Sequence, residues 1–229
     1  MPKKHSDLAD KAYEQIRGLI LRYELRPGQH IDLIRTSQRL GVSFTPVREA
    51  LRRLAQEELV SHIPNKGFSV REISVEEAEC LYGVREALEA YGIEAAATRM
   101  SPDSLGEIAR LSEMYHQSVL EKIDRKRFLL DKLFHIRIAE VSGNFVLVRM
   151  LEQILDKIIM KIRLEGMPRD RGPIAYQEHL EILDALKSQD PRRAVAVLRK
   201  HLSNAREGMV SFLRSRLISP ELSVEEEIA

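Results

Sequence analysis

Hydrophobic positions near the N-terminus recur with the period of a helix and then with that of a strand. Apolar residues follow helical spacing from Ala12 to Tyr23, and a short second helix is predicted for about 32–40. A third helix is predicted to begin near Thr45, because a threonine followed by Pro46 is typical of a helix N-terminus. Its apolar residues share one face, and they are Val47, Ala50, Leu51 and Leu54.

Two short segments after the third helix alternate as β-strands do. They cover residues 59–63 and 68–71, and Pro64 to Gly67 forms the turn between them. The order helix, helix, turn, helix, hairpin is that of a winged helix-turn-helix, which places its last helix in the major groove of DNA. We therefore predict a DNA-binding domain over residues 1–72.

The rest of the chain shows helical periodicity only. We predict about six helices over residues 73–216, with Ser101-Pro102 and Asp190-Pro191 marking two of their starts. Arg169 to Pro173 is polar and is predicted to be a mobile loop, and residues 217–229 are predicted to be a flexible tail. The fold class is thus mostly α: a winged helix-turn-helix followed by an all-α helical-bundle domain.

The composition is that of an ordinary globular protein. Of 229 residues, 44% are hydrophobic and 31% are charged. No apolar run approaches the roughly 20 residues that cross a bilayer, and the N-terminus lacks the apolar core of a secretory signal. The single Cys80 cannot form an internal disulfide, and we interpret it as a buried thiol on a helix. These features favour a cytoplasmic protein without a membrane partner.

Charge is distributed unequally between the two predicted domains. Residues 1–71 contain 13 Lys and Arg against 8 Asp and Glu, whereas residues 72–229 contain 23 against 27. A basic module followed by an acidic one indicates that only the first meets a polyanion, although an offset this small also arises by chance.

The third helix carries the residue pattern of a recognition helix. Thr45, Arg48 and Arg52 stand at i, i+3 and i+7, on the face opposite the apolar one. Arg48 is the best candidate for base contact. A lone arginine on a helix usually belongs to a solvated face, here with Glu49 and Arg53 as an ion pair, but the combination with turn, cap and wing favours DNA binding. Further candidate contacts to phosphate or to the minor groove are Ser43, Lys66 and Gly67.

The block Gly41 to Leu54, GVSFTPVREALRRL, resembles the N-terminal signature of GntR-family bacterial regulators. The helical remainder resembles the FCD effector domain of that family's FadR-type branch, so the resemblance covers about residues 8–215. It implies a transcription regulator, a repressor in our interpretation, that binds a pseudo-palindromic double-stranded DNA operator as a homodimer. Family members commonly carry a base-contacting arginine where this chain has Phe44. Arg35, another candidate DNA contact, stands where an acidic residue is usual. Because of these two departures, the operator sequence common in the family is not assigned to this chain.

Four residues of the helical domain form a candidate metal site. Asp131 and His135 are four residues apart and project from one face of a helix, and His179 and His201 lie on two later helices. Three imidazoles and a carboxylate suit a divalent transition metal such as Zn²⁺, Ni²⁺ or Mn²⁺. The spacing alone leaves open that these are hydrogen-bonded core histidines. The resemblance implies the metal, because many FadR-type effector domains bind one through this pattern.

The resemblance also implies a small carboxylate effector at the metal. Arg85 matches an arginine of the family's first effector-domain helix and can pair with such a carboxylate, although an ion pair with Glu89 is equally compatible. Two alternatives remain: a sensor whose effector is the metal ion itself, and a helical-bundle metalloenzyme. The second lacks support because the chain has a single Glu-x-x-His motif, Glu113 to His116, and no evident general base. We therefore expect no enzyme.

Overall fold

The computed structural model describes residues 3–121 and 123–218. The chain divides into two compact units, the first comprising residues up to 73 together with 156–163 and the second comprising the rest. Of the predicted tail, residues 217 and 218 belong to the last helix, and residues 219–229 lie outside the described part of the chain.

The first unit contains a three-helix body and a small sheet, as the pattern predicts. Its elements are α1 (Lys3–Leu21), β1 (His30–Ile31), α2 (Leu33–Leu40), α3 (Phe44–Gln56), β2 (Val60–Ile63) and β3 (Gly67–Val70). Its core joins apolar residues of α1, α3 and the sheet, among them Ile16, Leu51, Leu54 and Phe68, with Met160 from the segment 156–163.

The sheet has one strand more than the hairpin that the sequence predicts. Its order is β1-β3-β2, all antiparallel, with Ser61 opposite Ser69 and Ile31 opposite Phe68. Strand β1 has two residues, too few for an alternating pattern, so pairing with β3 rather than local sequence defines it.

Helix α3 begins earlier than predicted. Ser43 occupies the N-cap position with extended backbone angles, and Phe44 is the first helical residue. Thr45 is therefore inside the first turn and is not the N-cap. The Ser43 side chain makes no capping hydrogen bond, so its hydroxyl and the first backbone N–H groups of α3 are not paired with each other.

The second unit consists of six helices within its described residues, as predicted. They are α4 (Val75–Ala97), α5 (Pro102–Val119), α6 (Arg125–Val141), α7 (Phe145–Lys161), α8 (Arg171–Lys187) and α9 (Pro191–Ile218), and α7 contributes its last turns to the first unit. Helix α4 packs against α6, α8 and α9, while α5 packs against α6 and α8. The side chains of Ile93, Phe134, Ile182 and Leu198 contribute to the core among these helices.

Two predictions in this unit are wrong. The predicted mobile loop at 169–173 is helical from Arg171 onward, because Pro173 falls in the first turn of α8, where a proline needs no N–H partner. Cys80 is exposed on α4 and is not a buried thiol. None of the helices in the described ranges has a stretch apolar and long enough to span a bilayer.

Candidate DNA-binding face and metal centre

The predicted recognition face of α3 is open to solvent. Thr45, Arg48 and Arg52 are exposed, and neither arginine forms an ion pair or a side-chain hydrogen bond with any described residue. Arg53 differs, because it pairs with Asp10 and lies over the Tyr13 ring at 4.3 Å. The alternative ion pair between Glu49 and Arg53 is therefore not formed.

The other predicted DNA contacts lie on α2, at the start of α3 and at the wing tip. Ser43 and Lys66 are exposed, and Gly67 is half-buried with φ +82°, a conformation that favours glycine. Arg35 is 89% exposed, with its Nε 3.7 Å from Asp32 Oδ2. Phe44 is 49% exposed, so it is not a core residue and its ring is available at the N-terminus of α3.

Four side chains from α6, α8 and α9 converge in the second unit. Ligand atoms of Asp131, His135, His179 and His201 all lie within 4.8 Å of one another. Asp131 Oδ1 is 3.4 Å from His179 Nε2, and the Nε2 atoms of His135 and His201 are 3.2 Å apart. The three histidines are buried, while the Asp131 side chain is 25% exposed, so the cluster has one partly open side.

Two buried carboxylates contact the Nδ1 atoms of two of these histidines, the ring nitrogens on the side away from the cluster. Glu89 Oε2 is 2.5 Å from His135 Nδ1, and Glu178 Oε2 is 2.7 Å from His201 Nδ1. Asn204 Nδ2 donates to the other oxygen of Glu178 at 2.6 Å. Such carboxylate–histidine pairs orient the imidazoles of metal sites and fix their tautomers, because the Nδ1–H donates and leaves the Nε2 lone pair for the ion.

The protonation states of these groups follow from burial and from their partners. Burial raises the pKa of Glu89, but Arg85 and His135 lower it more, to about 2. Glu178 likewise reaches a pKa of about 2, because His201 and Asn204 outweigh its burial. Burial lowers the pKa of His201 to about 3 and also lowers that of His179. Ionised outer carboxylates and neutral imidazoles are the forms that bind a metal.

Two buried groups in this cluster have unused hydrogen-bonding capacity. Both ring nitrogens of His179 lack a hydrogen-bond partner, although its ring stacks on Phe134 at 4.1 Å. Arg85 forms the ion pair with Glu89 at 2.5 Å, but its Nη2 atom has no hydrogen bond and lies 3.9 Å from Asp131 Oδ2. The ion pair of Arg85 with Glu89 is therefore formed, and binding of an effector carboxylate by the remaining Nη2 group stays a prediction.

Sequence reasoning missed the outer carboxylate Glu178 and the role of Glu89. Glu89 lies one turn after Arg85, a spacing that suggested only an ion pair. Glu178 directly precedes His179 and points at a histidine of the next helix, which no local pattern reveals.

The comparisons with known proteins cover both units. Residues 8–70 match the family described as bacterial regulatory proteins, gntR family, and residues 80–204 match the FCD domain. The HTH-type transcriptional regulator McbR of Escherichia coli K12 is 29% identical over 192 residues, covering 82% of this chain and 86% of the relative. The HTH-type transcriptional repressor GlaR of the same organism is 24% identical over 201 residues, covering 83% and 90%.

The architecture also matches a solved structure. The structure of E. coli McbR/YncC aligns with a TM-score of 0.76 at 22% identity, covering 92% of this chain and 98% of that one. The order of a helix-turn-helix unit followed by a helical domain is therefore shared over nearly the whole chain.

Proposed function

This chain belongs to the GntR family of bacterial regulatory proteins, and from that premise we propose that a small carboxylate bound at a metal centre controls its affinity for DNA. It is a DNA-binding transcription regulator with an FCD domain, and its relatives are regulators rather than enzymes, as expected from the sequence. The metal, the effector, the dimer and the direction of regulation belong to the proposal.

The observation that carries the metal proposal is the pair of imidazoles facing each other across the cluster. Glu89 and Glu178 lie within hydrogen-bond distance of Nδ1 of His135 and His201, and in the tautomer with Nδ1–H the two Nε2 lone pairs face each other across 3.2 Å. Two lone pairs at this distance repel each other, whereas a cation between them is stabilised by both. Asp131 would add an anionic ligand and His179 a third imidazole, a donor set that suits Zn²⁺, Ni²⁺ or Mn²⁺.

The effector proposal rests on Arg85 and on the partly open side at Asp131. A divalent metal with four protein ligands keeps one or two positions for a carboxylate when its coordination number is five or six. The free Nη2 of Arg85 is available for a charge-assisted hydrogen bond to that carboxylate. For the acid to act as a signal, it must bind the two DNA-affinity states of the protein with different strength.

We further propose that the regulator is a homodimer and a repressor. One recognition helix makes few contacts, and two of them on a pseudo-palindromic operator multiply specificity. Helices α4 and α7 carry exposed apolar side chains suited to self-association, namely Val84, Tyr91, Phe145, Val146 and Met150. The relative GlaR is named a repressor, which supports that direction.

Metal content and DNA affinity together test this function. The purified full-length protein should contain about one divalent ion per chain by elemental analysis, and His135→Ala with His179→Ala should remove it, whereas His116→Gln in the same unit should not. Fluorescence anisotropy against genomic operator fragments should then show an acid-dependent change in Kd for the wild type and for His116→Gln, but not for the double variant. Wild-type protein whose Kd for DNA no acid changes would overturn the effector proposal, and wild-type protein without bound metal would overturn the metal proposal.

The metal-sensor alternative keeps the same cluster but makes the ion the effector. It is favoured by the burial of the three histidines, which leaves only the Asp131 side open. It predicts that Kd for DNA follows metal loading with no organic acid present. A metal-loaded protein whose DNA affinity equals that of chelator-treated protein until an acid is added would exclude this alternative.

A further inference from the structure

Phe44 lies where the predicted recognition helix α3 begins, and its side chain is open to solvent. It is the first helical residue after the N-cap Ser43, and it is 49% exposed. No ring stacking and no cation–π contact of the described residues involves Phe44. A recognition helix meets base edges with its N-terminal residues, so the ring has unused contact surface at the end of α3 that would enter the major groove.

The packing role that an apolar residue often has at a helix start belongs to another residue. In many helices the residue before the N-cap packs against the fourth helical residue and fixes the entry of the chain. In α3 the residue before the N-cap is Val42, which is half-buried against the apolar core of the first unit. The fourth helical residue, Val47, belongs to that core. Phe44 is therefore not needed for this contact.

Phe44 also begins a row of exposed side chains along α3. Arg48 and Arg52 follow at intervals of four residues, so the three side chains lie on one side of the helix. Neither arginine has an ion pair or a side-chain hydrogen bond with any described residue. A single exposed apolar side chain is common on protein surfaces, but this one precedes two unpaired cations in a DNA-binding domain. DNA held by these cations would place base edges beside the ring.

The chemistry of a phenyl ring favours one base edge over the others. In the major groove thymine presents its C5-methyl group, whereas guanine presents two acceptors, and adenine and cytosine each present an amino donor. A phenyl ring that covers such a polar edge removes water without replacing its hydrogen bonds, which is costly. Contact with the thymine methyl group instead buries apolar area on both partners. Phe44 is thus suited to select thymine.

We propose that Phe44 is a specificity-determining residue that contacts the C5-methyl group of a thymine in the operator. Arg48, one turn later on the same side of α3, supplies the hydrogen bonds to a neighbouring base or phosphate that the phenyl ring cannot make. The proposal rests on DNA binding by the first unit, and it is independent of the metal and of the effector.

The test removes the methyl group from the DNA. Duplexes are enriched from a random-sequence library by the full-length wild-type protein, and each thymine of the enriched motif is then replaced singly by deoxyuridine, which lacks only the C5-methyl group. Fluorescence anisotropy should show a rise in Kd of about fourfold for at least one replacement, because burial of one methyl group contributes on that order. Wild-type binding that no replacement weakens overturns the proposal.

Substitutions show whether Phe44 is the residue that senses the methyl group. Phe44→Ala should bind the thymine and uracil duplexes equally, whereas Leu120→Ala, which shortens an exposed apolar side chain of the second unit, should retain the difference. Phe44→Arg provides a second variant and should enrich guanine in place of that thymine, because a guanidinium can donate to both guanine acceptors. A folded Phe44→Ala protein that still distinguishes the two duplexes contradicts the proposal, as does a folded Phe44→Arg protein that enriches the wild-type motif.

Two further results separate this contact from DNA binding itself. A wild-type protein that enriches no motif contradicts sequence-specific DNA binding by the chain, and any base contact by Phe44 with it. A wild-type protein that enriches a motif without thymine remains a sequence-specific DNA-binding protein, and only the role of Phe44 is overturned.

Discussion

The two units use arginine in opposite ways. On α3, Arg48 and Arg52 are exposed and have no partner among the described residues, so their charges are fully hydrated and available to a polyanion. In the helical unit, Arg85 and Arg171 are fixed by Glu89 and Glu178, which also contact Nδ1 of His135 and His201 in the candidate metal centre. The first arrangement permits strong but salt-dependent binding to a large ligand. The second holds a small site in one geometry before its ligand arrives.

Removing two histidines of the candidate metal centre should give the largest effect. It should change metal binding by the helical unit and leave DNA binding by the first unit unaffected. The double substitution His135→Ala and His179→Ala is expected to reduce bound metal below detection, because two of the four donors are lost. Non-specific DNA affinity should stay unchanged, since it depends on exposed cations of the first unit. Elemental analysis and anisotropy with random DNA measure the two quantities. Metal retained at wild-type stoichiometry would show that the cluster is not the metal site.

Removing the charge of one outer carboxylate should have a smaller effect. Glu89→Gln keeps the shape but weakens the acceptor of His135 Nδ1, so metal affinity is expected to fall about 10- to 100-fold. Competition with a fluorescent chelator measures this change. Glu86→Gln serves as control and should bind metal like the wild type, because Glu86 lies three residues before Glu89, is only half-buried and pairs with Arg199 instead of a histidine. An unchanged affinity in Glu89→Gln would mean that this carboxylate has no orienting role.

Acid should destabilise the metal-free protein through its buried histidines. Unfolded His201 takes up a proton near its ordinary pKa of 6.5, whereas the folded residue resists protonation until about 3. The unfolded state therefore binds more protons, and the free energy of unfolding should fall by about 2 kcal/mol between about pH 7.5 and about pH 5. The stability from the lowered pKa values of Glu89 and Glu178 is lost only below about pH 4.5, outside this window.

The pH dependence of the free energy of unfolding is measured by denaturant unfolding of chelator-treated protein, followed by helical circular dichroism. His201→Asn should flatten it, and His62→Asn in the first unit should leave it unchanged. A wild-type protein with equal unfolding free energy at both pH values would contradict the neutral, buried state of His201.

An effect of similar size is expected when a free arginine is compared with a paired one on the same helix. Arg48→Ala should weaken operator binding by about 1–3 kcal/mol if it contacts a base, or lower the slope of log K against log salt by about one if it contacts phosphate. Arg53→Ala, whose side chain pairs with Asp10, should change operator affinity little and mainly reduce stability. Equal losses in both variants would show that exposure and pairing do not distinguish DNA contacts on α3.

The sequence correctly predicted the features that depend on residues close to one another along the chain. The helix periods, the capping residues Ser101 and Asp190 and the turn at Gly67 all appear in the structure, because each follows from spacing or backbone preference. The two-residue strand β1 depends on pairing with β3, which no window of sequence contains.

In the candidate metal centre, too, some residues could be selected from the sequence and others were found only in the structure. A family resemblance and helical spacing selected Asp131 and the three histidines, and the structure brings their ligand atoms together. Glu178 and Asn204 were not predicted, because their significance comes from neighbours on other helices. Whether the selected residues bind metal and DNA stays a prediction until the measurements above are made.

Strand β1 has a consequence for the thermodynamics of DNA binding. It pairs with β3, and His30 Nε2 lies 3.0 Å from the carbonyl oxygen of Lys66 at the wing tip. The wing is therefore tied to the body of its unit at the residues expected to reach DNA. An ordered wing loses little conformational entropy when it docks, so more of its contact energy appears as affinity.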